Sequence, residues 1–144
     1  MTPSEKLDLI RAIYAQLLST GSPQMLLDNL TDDARCKVSI GPDTPLSGEF
    51  VGKEAVIGYL RTLDTVAEIL GINVYDYLAN DTRVVVFGDE SIRLLASDVS
   101  FSTEWASVFT FRGDKIAYLL IIENLGAISQ AYGAPPAPPI PRAS

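Results

Sequence analysis

"LTDDARCKVSIGPDTPLSGEFVGKEAVIGYL", Leu30 to Leu60, decides the fold. It opens on the acids Asp32 and Asp33 and passes into "ARCKVSI" (34–40), whose weak alternation predicts a strand. "GPDTPLSGEFVG" (41–52) is dense in Gly and Pro and predicts a loop, with room for a short extended piece at 48–51. "KEAVIGYLRTL" (53–63) predicts a helix with Val56, Tyr59, Leu60 and Leu63 on one side. A strand thus hands over to a helix through a wide turn.

Upstream of this stretch the pattern is helical. Thr2 is a predicted N-cap, Pro3 fits the first helical position and Glu5 completes a capping box. Leu7, Ile10, Tyr14 and Leu17 recur at helical spacing, and Gly21 ends the run. Ser22 and Pro23 start a second helix that reaches about Leu30. Downstream, the period changes to strands, roughly 72–78, 83–94, 100–111 and 115–123, with "AND" and "RGD" as turns. Helices followed by a run of antiparallel strands give an α+β domain. Three helices cannot cover both faces of such a sheet. The expected architecture is a strongly curved antiparallel sheet whose concave face closes on the helices, with an apolar pocket between them. Its other face is free for a second subunit.

Composition narrows the function. The chain has 144 residues, 47% of them hydrophobic, which fits one domain spanning 1–132. "GAPPAPPIPRAS" (133–144) carries five prolines and predicts an extended or disordered tail. Eleven basic against 18 acidic residues, a net charge of −7, argue against nucleic acid or an anionic membrane surface as partner. There is no histidine and one cysteine, Cys36. A Ser-His-Asp or Cys-His site cannot be built, a zinc site is not expected, and no cofactor is implied. Acid–base work must fall on Asp, Glu, Tyr or Lys. Without a signal-peptide pattern or an apolar run of membrane-spanning length, the expected location is cytoplasmic.

The order of elements and several residues resemble the SnoaL-like branch of the nuclear transport factor 2-like superfamily. Asp32–Asp33, Pro45–Leu46, Gly48, Gly52 and Glu54–Ala55–Val56 stand where members carry an acidic helix end, "PLxG" and "xGxEAVxxYL". The resemblance covers about residues 4 to 132. It implies a cone-shaped α+β fold with an apolar cavity, often a homodimer through the sheet, and a small hydrophobic ligand. The superfamily spans ketosteroid isomerases, polyketide cyclases, dehydratases, epoxide hydrolases and non-catalytic binding domains, so the chemistry stays open.

Candidate site residues follow from faces and from the resemblance. Alternation puts Leu119, Ile121 and Glu123 on one face of the last strand. If that face lines the cavity, burial raises the Glu123 pKa and suits it to proton transfer. The resemblance to polyketide cyclases implies the same role, although Asn124 stands where many relatives carry Asp. The other reading is a strand-end acid facing solvent. Tyr14 is similar in position to the oxyanion donor of the isomerases, or is a plain core tyrosine. The isomerase's two aspartates would fall near Val38 or Asp43, and at Ser107, so an isomerase of that type is not expected, but Asp43 and Ser107 stay candidate donors beside Tyr14. Thr103, Trp105, Ser107, Phe109 and Phe111 share one strand face and suit a pocket wall, with Tyr59 on the closing helix. Glu90 is a candidate for the same cavity, where two facing carboxyls would push their pKa values apart. Lys37 is expected at the surface and Cys36 in the core.

Overall fold

The computed structural model describes residues 1–39 and 46–124. Helix α1 (Pro3–Thr20) starts on the expected capping box: Thr2 Oγ1 accepts from the Glu5 N–H, and the Glu5 carboxylate accepts from the Thr2 N–H, both at 3.1 Å. It stops at Gly21, whose φ of 71° is left-handed and costs glycine nothing. Helix α2 (Gln24–Asp28) is one short turn. Strand β1 (Leu30–Ser39), strand β2 (Gly48–Val51) and helix α3 (Lys53–Val66) realise the stretch that began the sequence reading. Strands β3 (Ala67–Ala79), β4 (Arg83–Leu94), β5 (Ser100–Arg112) and β6 (Lys115–Glu123) complete the domain.

The six strands form one sheet in the order β2-β1-β6-β5-β4-β3. Four of its neighbours pair antiparallel, but β1 and β6 run parallel, so the sheet is mixed rather than wholly antiparallel. A tight hairpin forces antiparallel pairing; β1 and β6 are linked through the rest of the domain and are free of that constraint. At the surface, Asp33 of β1 reaches across to the end of β5. Its carboxylate takes both guanidinium nitrogens of Arg112, at the β5–β6 turn, which holds its pKa down to about 2.

Two strand ends differ from the sequence reading. β1 begins at Leu30 because the Ile116 N–H donates to Asn29 O at 2.7 Å, drawing the end of α2 into the sheet. β3 begins at Ala67, directly after α3, because it pairs with β4 back to Leu94. That first part of β3 is an exposed edge, so its side chains show no alternation to read.

The curvature has a local cause. β3 pairs with β4 through two irregularities, one of which leaves Tyr75 as an extra residue between Val74 and Asp76. Opposite Val74 lies Gly88, where a Cβ would stand 1.9 Å from the Asn73 carbonyl oxygen. Only glycine lets the two backbones close in there.

The concave face carries the core. Ile10, Ile13 and Tyr14 of α1 and Val56 and Tyr59 of α3 pack on Val84, Val86, Phe109, Ile116 and others from the sheet. Burying each large side chain contributes about 1.5–3 kcal/mol. A smaller cluster, Ala67, Ile92 and Leu94 with Leu63 and Phe101, joins the end of α3 to the β3–β4 edge. Cys36 is buried and Lys37 exposed, as expected; burial pushes the Cys36 thiol up to about 12.

Candidate functional site

A pocket of about 150 Å³ lies between the concave face and the helices. The strands that build it have regular alternation. β4 turns Glu90, Ile92 and Leu94 inward, β5 turns Phe101, Trp105 and Ser107 inward, and β6 contributes Ile121 and Glu123. α1 supplies Tyr14, and α3 supplies Tyr59 and Leu63.

The pocket brings two carboxyls together. Glu90 pairs in register with Thr103 of β5, and Glu123 pairs with Trp105 from the opposite side of the same strand. The two acids are therefore two strands apart, roughly 10 Å of backbone. Their side chains reach toward each other over β5, near enough for each to shift the other's pKa. Burial pushes Glu90 up to about 8, helped by the charge of Glu123 and by its own hydrogen bond to that group. Burial also raises Glu123, but the bond from Glu90 works in the opposite direction. Burial thus favours the protonated form of both carboxyls, and the charge of Glu123 makes Glu90 harder still to ionise, so the two titrate as a pair.

A second layer fixes the pair. Thr103 accepts from the backbone N–H of Asn124 at 3.1 Å and donates to Glu104 O at 3.0 Å. That hydroxyl holds the end of β6 in place beside Glu123. Its position on the inward face of β5 was legible from alternation; its positioning role depends on strand register and was not.

Hydrogen-bond donors face the carboxyls. Tyr14 is buried and its pKa is raised by burial, an effect that a hydrogen bond with Ser107 opposes. Burial raises Tyr59 as well, with smaller contributions from Cys36, Glu123 and Glu90. Both phenols stay protonated across the physiological range. The Tyr14 ring stacks on Trp105 at 5.7 Å and meets Phe109 edge-on at 6.2 Å. Tyr59 is held by Phe50 at 4.9 Å.

Seven of the expected site residues line the pocket: Tyr14, Tyr59, Glu90, Trp105, Ser107, Ile121 and Glu123. Phe109 and Leu119 do not. They are on the inward face, at 3% and 7% exposure, but they belong to the core. The concave face is wider than the pocket, and Tyr14 and its helix fill the Phe109 end. Asp43 lies outside the described residues. Leu63, Ala67, Ile69, Ile72, Ile92 and Leu94 also line the pocket and were not expected. Alternation along β4 from Glu90 already placed Ile92 and Leu94; nothing in the sequence pattern marked the edge residues of β3.

An NTF2-like protein from Burkholderia xenovorans has the same fold, with a TM-score of 0.80 at 21% identity over 92% of this chain and 98% of that one. A protein with a ketosteroid isomerase-like fold from Catenulispora acidiphila, solved with trimethylamine, gives 0.71 at 15% identity over 94% and 96%. A candidate SnoaL-like polyketide cyclase from Mesorhizobium loti gives 0.68 at 17% identity over 84% and 98%. Comparison with curated proteins gives no match. The profile of the SnoaL-like domain matches residues 10–119, and the chain belongs to that family.

Proposed function

We propose that this protein binds a small, largely apolar molecule between sheet and helices and moves a proton on it without a cofactor. The observation that carries this reading is the Glu90–Glu123 pair, two carboxyls turned into one apolar pocket and both raised by burial, which we infer share one proton at neutral pH. A buried pair of this kind offers a base and an acid at neutral pH, which lone surface carboxylates do not. Glu123, the ionised member, abstracts a proton next to a carbonyl. Tyr14, with Ser107 behind it, donates to the oxygen on which charge develops. Isomerisation, aldol-type cyclisation and dehydration all share that step, and epoxide opening uses the same acid and base.

The shared step has a test that needs no natural substrate. Cyclohexanone in deuterium oxide exchanges its α-protons, and proton NMR follows the loss of signal. The protein should accelerate exchange in a saturable way, and Glu123→Gln should lose about 10²–10⁴-fold of that acceleration. Exchange no faster than in buffer, with the ketone bound, would leave a binding protein without this chemistry.

We also infer a homodimer through the convex face of the sheet. Val85, Phe87, Val108 and Leu120 are only half-buried there, and Ile122 is 43% exposed. No described helix is long and apolar enough to cross a membrane. With its single cysteine buried and unpaired, we place the activity in the cytoplasm.

A further inference from the structure

The pocket is small for what it is asked to hold. Ligand sites usually span about 300–1,000 Å³, against about 150 Å³ here. Beside it, between α1, α3 and the edge strand β3, runs a groove of about 740 Å³. The two spaces share Tyr14, Leu63, Ala67, Ile69 and Ile72 as walls. Taken together they reach the usual range.

The groove is apolar where an ordinary surface is not. Leu18 and Leu70 are 53% and 52% exposed on its sides, and Leu60 lines its floor. Exposed leucines gathered along one cleft mark a binding surface more than a free one. Its charged members are both acids, Asp64 and Glu68, and Glu68 is engaged with Arg93. Among the described residues no lysine or arginine lines either space. An anionic headgroup would meet the negative carboxyl pair without a cation to balance it.

We propose that the ligand is elongated and not anionic: a carbonyl- or hydroxyl-bearing head occupies the pocket beside Glu90 and Glu123, and an unbranched apolar chain lies along the α1–α3–β3 groove. This rests on the pocket being a ligand site, and it names the class of molecule the site takes. Leu63, Ile72 and Tyr14 stand where head meets chain. Each methylene laid in the groove leaves water, so affinity should climb with chain length well past the size that fills the pocket alone.

A series of methyl n-alkyl ketones, from methyl propyl to methyl nonyl ketone, tests this. Binding is followed by the emission of Trp105, the single tryptophan, on the pocket wall. Affinity should rise about 3–4-fold per methylene, the equivalent of ~0.8 kcal/mol for each CH₂ buried. Undecanoate at pH 7 should bind at least about tenfold more weakly than methyl nonyl ketone, since each factor of ten is only about 1.4 kcal/mol of unbalanced charge. Leu18→Glu with Leu70→Glu changes two exposed side chains and should flatten the series while the urea midpoint stays near wild type. If methyl propyl ketone binds and longer ketones bind no tighter, the groove proposal is overturned and the pocket reading stands. If the paired substitution changes oligomeric state instead of the slope, the groove is a subunit contact and the proposal is wrong. If no ketone binds, both fall.

Discussion

Glu90→Gln removes the proton that the pair shares and should change how stability depends on pH. The Glu90 carboxyl has an ordinary value of 4.5 and a folded value of about 8. Between those values the folded protein holds a proton that the unfolded chain has released. Stability due to this group is therefore complete below pH 4.5, falls as pH rises, and is lost once pH passes 8. One pKa unit is about 1.36 kcal/mol, so the wild type loses about 3 kcal/mol from this group by pH 7 and about 5 kcal/mol by pH 8 and above. Glutamine keeps the shape and hydrogen-bonding reach of the protonated acid and does not titrate. The difference in unfolding free energy, Glu90→Gln minus wild type, should thus climb by several kcal/mol from pH 4.5 to 8 and then level off. Acids remote from the pocket, including Asp33, are common to both proteins and largely cancel in that difference, while Glu123 is coupled to Glu90 and titrates as part of the same step. Urea unfolding followed by Trp105 fluorescence at a series of pH values measures it. Parallel stability curves for the two proteins would show that Glu90 titrates as an ordinary carboxyl, and the shared proton would be refuted.

Other perturbations probe separate parts of the account. Gly88→Ala places a methyl group against the Asn73 carbonyl and should cost about 3 kcal/mol in urea unfolding; an unchanged midpoint would mean that β3 does not approach β4 as closely as described. Tyr14→Phe keeps the stacking on Trp105 and removes the donor, so cyclohexanone binding should weaken about 5–10-fold, while methylcyclohexane should bind as before. Ile122→Glu sets a charge on the convex face and should turn a dimer into a monomer by light scattering at micromolar concentration; a monomeric wild type would overturn the dimer.

Much of the fold was legible because it rests on local chemistry. Thr2, Pro3, Glu5 and Gly21 bound α1 by capping alone, and β4 and β6 kept the ends their alternation predicted. The parallel pairing of β1 with β6 was not legible, since no hairpin residue encodes a contact between strands so far apart in the chain. The first five residues of β3 were missed for a related reason: an exposed edge leaves no alternation, and only pairing with Ser91, Ile92, Arg93 and Leu94 makes them strand. At the site, Glu123 was readable from "YLLIIE" by counting faces. Glu90 could be placed on the right face too, but its meeting with Glu123 depends on β5 lying between them in a particular register. Phe109 and Leu119 show the converse limit. Alternation tells which face a residue takes, not where along that face a helix has already filled the space.

The most direct test of the central claim is the protonation state of the two carboxyls. Carbon-13 NMR of protein labelled at the glutamate side-chain carboxyl follows each titration. One carboxyl should remain protonated at pH 7 and titrate near 8, and it should vanish from the spectrum of Glu90→Gln. The Glu123 signal should shift with it, because the two groups share one proton. If every glutamate carboxyl titrates near its ordinary value of 4.5, the pocket holds no proton-sharing pair, and the proposed chemistry has no base and acid to work with.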